Sequence, residues 1–147
     1  MRNIKQTGKS LGIVGFGAFG QLIARHLYEY FELLAYDPSP SLSEIATELS
    51  VSLKPMSGVA QCDVVVIASP VSTFERVVTS IAADCRPGTV IVDVGSVKVQ
   101  PSEIMERLLP DYVGIIATHP LFGPQSAREG IQGLKIAVCP IRGDYQP

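Results

Sequence analysis

Ile13-Val14-Gly15-Phe16-Gly17-Ala18-Phe19-Gly20 is the stretch that decides how this chain folds. It joins a short apolar run, Ser10 to Val14, to a segment in which Phe19, Leu22, Ile23, His26, Leu27 and Tyr30 recur at helical spacing. Glycines at the first, third and sixth places of a strand-to-helix junction have separate uses. Gly15 makes the tight turn, Gly17 lets a pyrophosphate approach the backbone, and Gly20 lets helix and strand pack closely. The helix then presents unpaired N–H groups and a partial positive charge to the phosphates. Phe16, Ala18 and Phe19 complete the turn.

A dinucleotide site needs a second part, an acidic residue about 20 positions further on at the end of the next strand. Asp37 stands there, in Leu33-Leu34-Ala35-Tyr36-Asp37. A carboxylate at that point accepts the ribose hydroxyls and repels a 2′-phosphate, and no arginine follows Asp37 to hold one. NAD is therefore favoured over NADP. The plainer alternative is that Asp37 starts a turn with Pro38.

Outward from this pair, β-branched runs alternate with helical periods, the pattern of an α/β chain with a doubly wound, mostly parallel sheet of the Rossmann type. Strands are expected near Ser10 to Val14, Glu32 to Tyr36, Val64 to Ile67, Thr89 to Asp93, Val113 to Ala117 and Leu134 to Cys139. Phe74, Val77, Val78, Ile81, Ala82 and Cys85 mark a second helical stripe. A shorter helix is expected over Pro101 to Leu109, with Pro110 just after it. Another begins near Leu42, capped by Ser41 with Glu44 three residues on, within Pro38 to Leu53. His26 reads as a packed or half-exposed helix residue.

At 147 residues the chain is expected to be one dinucleotide-binding domain, residues 1–147. Hydrophobic residues make up 46%, charged residues 18%, and the formal net charge is -2, which is the composition of an ordinary globular protein and not of a nucleic-acid-coating one. Cys62, Cys85 and Cys139 lack any metal-ligand spacing and read as buried thiols in a reducing compartment. The basic start is followed by an apolar stretch broken by Gly12, Gly15, Gly17 and Gly20, which fits neither a signal peptide nor a membrane span. A cytoplasmic protein with no metal, membrane or nucleic-acid partner is expected.

In a doubly wound sheet, ligands bind outside the carboxyl ends of the strands. The exits here are Gly15, Asp37, Ser69-Pro70, Gly95-Ser96 and Thr118-His119, distant in sequence and neighbours in space. Gly95, Ser69 and Pro70 join the turn as cofactor-binding candidates. Ser96 is either a helix cap or turn residue, or a hydroxyl that orients the His119 imidazole or binds substrate. Lys98 reads as a solvated lysine, with pairing to a phosphate or a substrate carboxylate as the alternative. His119, followed by Pro120, Gly123 and Pro124, is either a histidine bonded to a stiff turn or a positioned proton acceptor.

Three motifs together resemble the nucleotide-binding domain of the prephenate and arogenate dehydrogenase family of tyrosine biosynthesis. They are Gly15-Phe16-Gly17-Ala18-Phe19-Gly20-Gln21, Asp93-Val94-Gly95-Ser96-Val97-Lys98 and Thr118-His119-Pro120-Leu121-Phe122-Gly123-Pro124. The resemblance spans nearly the whole chain and implies an oxidative decarboxylation of prephenate or arogenate. His119 would accept the substrate hydroxyl's proton, or a hydrogen bond from it, as hydride leaves for the nicotinamide. Ser96 matches the serine that contacts the same hydroxyl and the histidine.

Members of that family continue into a helical domain that binds substrate and forms the dimer contact, and such a domain is absent from these 147 residues. Activity is expected to need that domain, from a further segment or a partner chain, with a homodimer as one form. Two other readings are a non-catalytic NAD-binding regulatory module, which would have no need of His119 and Ser96, and a relative of the β-hydroxyacid dehydrogenases.

Overall fold

Alternation along the strands sorts the apolar residues into two cores. In the computed structural model, which describes residues 7–143, β1 (Ser10–Val14) sends Leu11 and Ile13 to one face and Val14 to the other. β4 (Val64–Ile67) sends Val66 to the first face and Val65 and Ile67 to the second. A strand buried on both faces reads as a continuous apolar run, which is why Val-Val-Val-Ile is a strand here.

The crossovers follow. α1 (Ala18–Leu27) joins β1 to β2 (Glu32–Tyr36), and α2 (Ser43–Glu48) leads to β3 (Val51–Leu53). α3 (Met56–Val59) leads to β4, α4 (Phe74–Ala82) to β5 (Val90–Asp93), and α5 (Val99–Leu108) to β6 (Gly114–Pro120). The chain then reaches β7 (Ile136–Arg142). Strand order is β3-β2-β1-β4-β5-β6-β7, with every neighbouring pair parallel except β6 and β7. The doubly wound expectation is met, and the order turns back between β1 and β4, where open α/β sheets bind their ligands.

α3, α4 and α5 cover one face through Val59, Val78, Ile81 and Met105, all fully buried, and α1 and α2 cover the other through Ala24 and Ala46. Burying a side chain such as Ile81 stabilises by about 1.5–3 kcal/mol. The second face is covered unevenly. Beyond β4, an apolar groove of about 290 Å³ runs between Ile23 and His26 of α1 and Val92 and Ile136 of the sheet, with Val94 just past β5.

Several local expectations differ. α1 ends at Leu27, so Tyr30 lies past the helix and is exposed. The helix expected over Pro38 to Leu53 is short, and β3 forms its last three residues, entered through Ser50 at φ 60°. Ser41 caps nothing: a 3₁₀ turn, Pro40–Leu42, precedes α2 and has Ser39 as its cap position. β7 runs on through Pro140 to Arg142, which suits an edge strand because its outer N–H groups have no ladder partner to lose. Cys62 and Cys85 are buried as expected, whereas Cys139 lies on that edge and is exposed.

Candidate active site

Gly15 has φ +97°, and a Cβ there would stand 2.8 Å from the Ala68 carbonyl group and the Ser69 nitrogen. Only glycine fits where the first turn presses on the exit of β4. At Gly20 a Cβ would stand 2.2 Å from the Gly15 oxygen, so the helix reaches the turn only because that carbon is absent. Around Gly17 a Cβ would meet nothing within 4 Å. Gly17 is also the cap position of α1, with no side chain bonded across the first N–H groups. The open side of the turn is thus a backbone surface that can take an anion.

Asp37, just past β2, folds back on this turn. Its Oδ2 accepts the Phe16 N–H at 2.8 Å and its Oδ1 accepts the Ser39 N–H at 2.9 Å. The second bond is the Asx turn expected of Asp before Pro38; the first ties the carboxylate to the glycine loop. Each oxygen keeps a lone pair for a ribose hydroxyl. Phe16 itself is fully buried, its carbonyl accepts from Gln21 Nε2 at 3.1 Å, and Ala18 starts the helix in solvent.

A cavity of about 540 Å³ opens in front of Asp37 and Gly15, with Ser69 and Pro70 on its wall. The Ser69 hydroxyl is buried and has no hydrogen-bond partner among the described residues, a costly state unless a ligand completes it. The orphaned hydroxyl, the carboxylate and the glycine cradle fit a dinucleotide. Thr73, in the 3₁₀ turn before α4, and Arg76, on the polar side of α4, also line this cavity, and sequence reasoning placed neither of them there.

The other strand exits form a second cluster. Asp93, 2% exposed, ends β5; its Oδ1 accepts the Gly95 N–H at 2.8 Å and its Oδ2 accepts from Lys98 Nζ. Lys98 also donates to the Thr118 carbonyl, and Thr118 Oγ1 donates to the Asp93 carbonyl at 2.7 Å. Lys98 is therefore not a solvated lysine but the ion-pair partner of a buried carboxylate. α5 starts after Lys98, so Ser96 is not its cap.

β6 continues past its last pairing with β5, Asp93 with Ala117, because β7 supports it; His119 pairs with Ala137 and lies inside the strand. The imidazole is half-buried. Ser96 is exposed and does not hydrogen-bond to His119. Neither lines the cavity at Asp37. The loop after His119 is held by the stack of Phe122 on Phe19, ring centroids 6.3 Å apart, so the glycine turn and the histidine loop touch.

Burial pushes the Cys62 thiol above its ordinary value and that of Cys85 up to about 11, which keeps both protonated and inert. Among the described residues no group of three or more His, Cys, Asp or Glu is placed to hold a metal ion, and no helix is long and apolar enough to cross a membrane.

Residues 23–141 match the family model for the prephenate dehydrogenase nucleotide-binding domain. The chain belongs to this family. The match starts inside α1, so it includes Asp37, Ser69, Pro70, Gly95, Ser96 and His119, while the glycine turn rests on its own geometry. Arogenate dehydrogenase 1, chloroplastic, of Arabidopsis thaliana is 31% identical over 137 residues, 90% of this chain and 21% of that protein. Among solved structures, prephenate dehydrogenase from A. aeolicus in complex with hydroxyphenyl propionate and NAD+ superposes with TM-score 0.76 at 22% identity, over 90% of this chain and 51% of the other. Mycobacterium tuberculosis 3-hydroxyisobutyrate dehydrogenase superposes with TM-score 0.73 at 21% identity, over 82% and 43%. The two structures share the fold with this member of the prephenate dehydrogenase family. The chain spans about half of each solved neighbour and a fifth of the curated relative.

Proposed function

We propose that this chain is the NAD-binding half of a dehydrogenase that oxidatively decarboxylates prephenate or arogenate. The observation that carries the reading is the Lys98 bridge, which ties the Ser96 turn to the strand of His119 at the sheet edge shared with Gly15 and Asp37. Bound NAD supplies the hydride acceptor. The N–H groups after Gly17 hold the pyrophosphate, and Asp37 holds the adenosine ribose. His119 takes the proton of the substrate hydroxyl as hydride leaves, and Ser96 contacts the same hydroxyl. The ring carboxylate departs as carbon dioxide and the ring becomes aromatic.

A helical domain, from a further segment or a partner chain, completes the substrate site, either within a homodimer or as a separate subunit. The cytoplasm suits two buried free thiols. Calorimetric titration tests the cofactor, with NAD binding expected and NADP weaker; no dinucleotide binding sinks the reading. For the reaction, His119→Asn in the chain joined to a helical domain lowers turnover about 100-fold or more with little change in NAD affinity. Unchanged turnover removes His119 from the mechanism. Turnover of a 3-hydroxy acid and of neither prephenate nor arogenate would favour the 3-hydroxyisobutyrate dehydrogenase type that shares this fold.

A further inference from the structure

The cavity at Asp37 is lined on its α4 side by Arg76, Val77 and Ser80. Its lining also includes the apolar Pro38 and Met56, and Arg76 is its one cationic side chain. Among the described residues the Arg76 guanidinium has neither an ion-pair nor a hydrogen-bond partner, whereas Arg86, Arg107 and Arg142 are each paired. Thr73 and Ser80, one turn to either side, use their hydroxyl protons on Pro70 and Arg76 carbonyls and so face the cavity as acceptors.

We infer that Arg76 is the residue that binds the base of the dinucleotide, its guanidinium plane against the face of the adenine. The inference rests on the dinucleotide reading above and adds the residue that selects the nucleobase end. A planar cation beside a slot of proline, methionine and valine matches a flat aromatic heterocycle. The acceptor hydroxyls of Thr73 and Ser80 match an amino-bearing base edge. A 2′-phosphate is the other group an arginine here could meet, but it would have to sit against the Asp37 carboxylate, which is fixed by two N–H donors.

Isothermal titration with ADP-ribose, NAD, NADP and nicotinamide mononucleotide separates the outcomes. Arg76→Ala is expected to weaken ADP-ribose, NAD and NADP by a similar factor, about three- to tenfold, and to leave the mononucleotide unchanged. Arg76→Lys, which keeps the charge and loses the plane, should recover only part of the loss. Arg76 is exposed, so both variants should melt as the parent does. Unchanged ADP-ribose affinity in Arg76→Ala overturns the assignment while leaving the dinucleotide site intact. Loss confined to NADP also overturns it, in favour of a phosphate contact. Failure of the parent chain to bind ADP-ribose sinks the dinucleotide reading and this inference together.

Discussion

Lys98 and Asp93 form a partly buried ion pair that closes the turn between β5 and α5: the lysine side chain is 28% exposed, the aspartate side chain 3%. The same ammonium reaches the Thr118 carbonyl, one residue before His119. One side chain thus joins the turn after β5 to strand β6, twenty residues further along the chain.

Removing the ammonium leaves a buried carboxylate with only the Gly95 N–H. Lys98→Met is expected to cost about 2–3 kcal/mol, read from the urea midpoint at unchanged slope. Asp93→Asn/Lys98→Met should cost less than the sum of the single changes. Additive losses would show that the two groups do not act as a pair.

Gly20→Ala inverts a general rule. Alanine in a helix interior normally gains up to about 1 kcal/mol over glycine. Here the new Cβ would meet the Gly15 oxygen at 2.2 Å, so a loss of about 1–3 kcal/mol is expected, together with weaker NAD binding. A stabilised Gly20→Ala with full NAD affinity would mean that helix and turn have room to separate.

Asp37→Ala removes the acceptor for the Phe16 and Ser39 N–H groups and, on the proposed reading, for the ribose. NAD affinity should fall about tenfold or more, and NADP affinity less, narrowing the preference between them. Calorimetry on both cofactors reads this directly. An equal fall for both would deny the carboxylate its discriminating role.

The pH dependence of stability has one identifiable contributor at the other end of the sheet. The Ser10 N–H, donating to Asp63 Oδ2 at 2.8 Å, holds the Asp63 carboxyl below its ordinary 3.8. A folded value below the unfolded one gives stability that is complete above the unfolded pKa and is lost as pH falls through the folded pKa. Asp63→Asn should therefore flatten the acid limb below about pH 4. With the side chain 42% exposed the effect is small, and an unaltered limb would assign acid sensitivity to other carboxylates.

The sheet was legible because parallel strands buried on both faces leave continuous apolar runs, as in Val64 to Ile67, and because β1, β2 and β4 occupy the expected residues. β3 was not legible: three residues carry too little pattern to outweigh the helical signal before them. β6 was expected to stop at Ala117, since its continuation depends on β7 pairing with it antiparallel, a contact between segments with no local mark. Of the site, Asp37 and the glycines were readable from spacing. The pairing of Lys98 with Asp93 was not, since an exposed and a bridged lysine look alike in sequence.

By itself the sequence determined the longer strands and helices, the glycine turn and the acidic residue after it, because these depend on backbone sterics and on periods of a few residues. Only the tertiary structure decided that the Ser69 hydroxyl is left without a partner among the described residues, that Arg76 faces the Asp37 cavity, and that Phe122 rests on Phe19. Those relations join residues whose separation along the chain carries no information about distance, and only the packing of helices on the sheet supplies it.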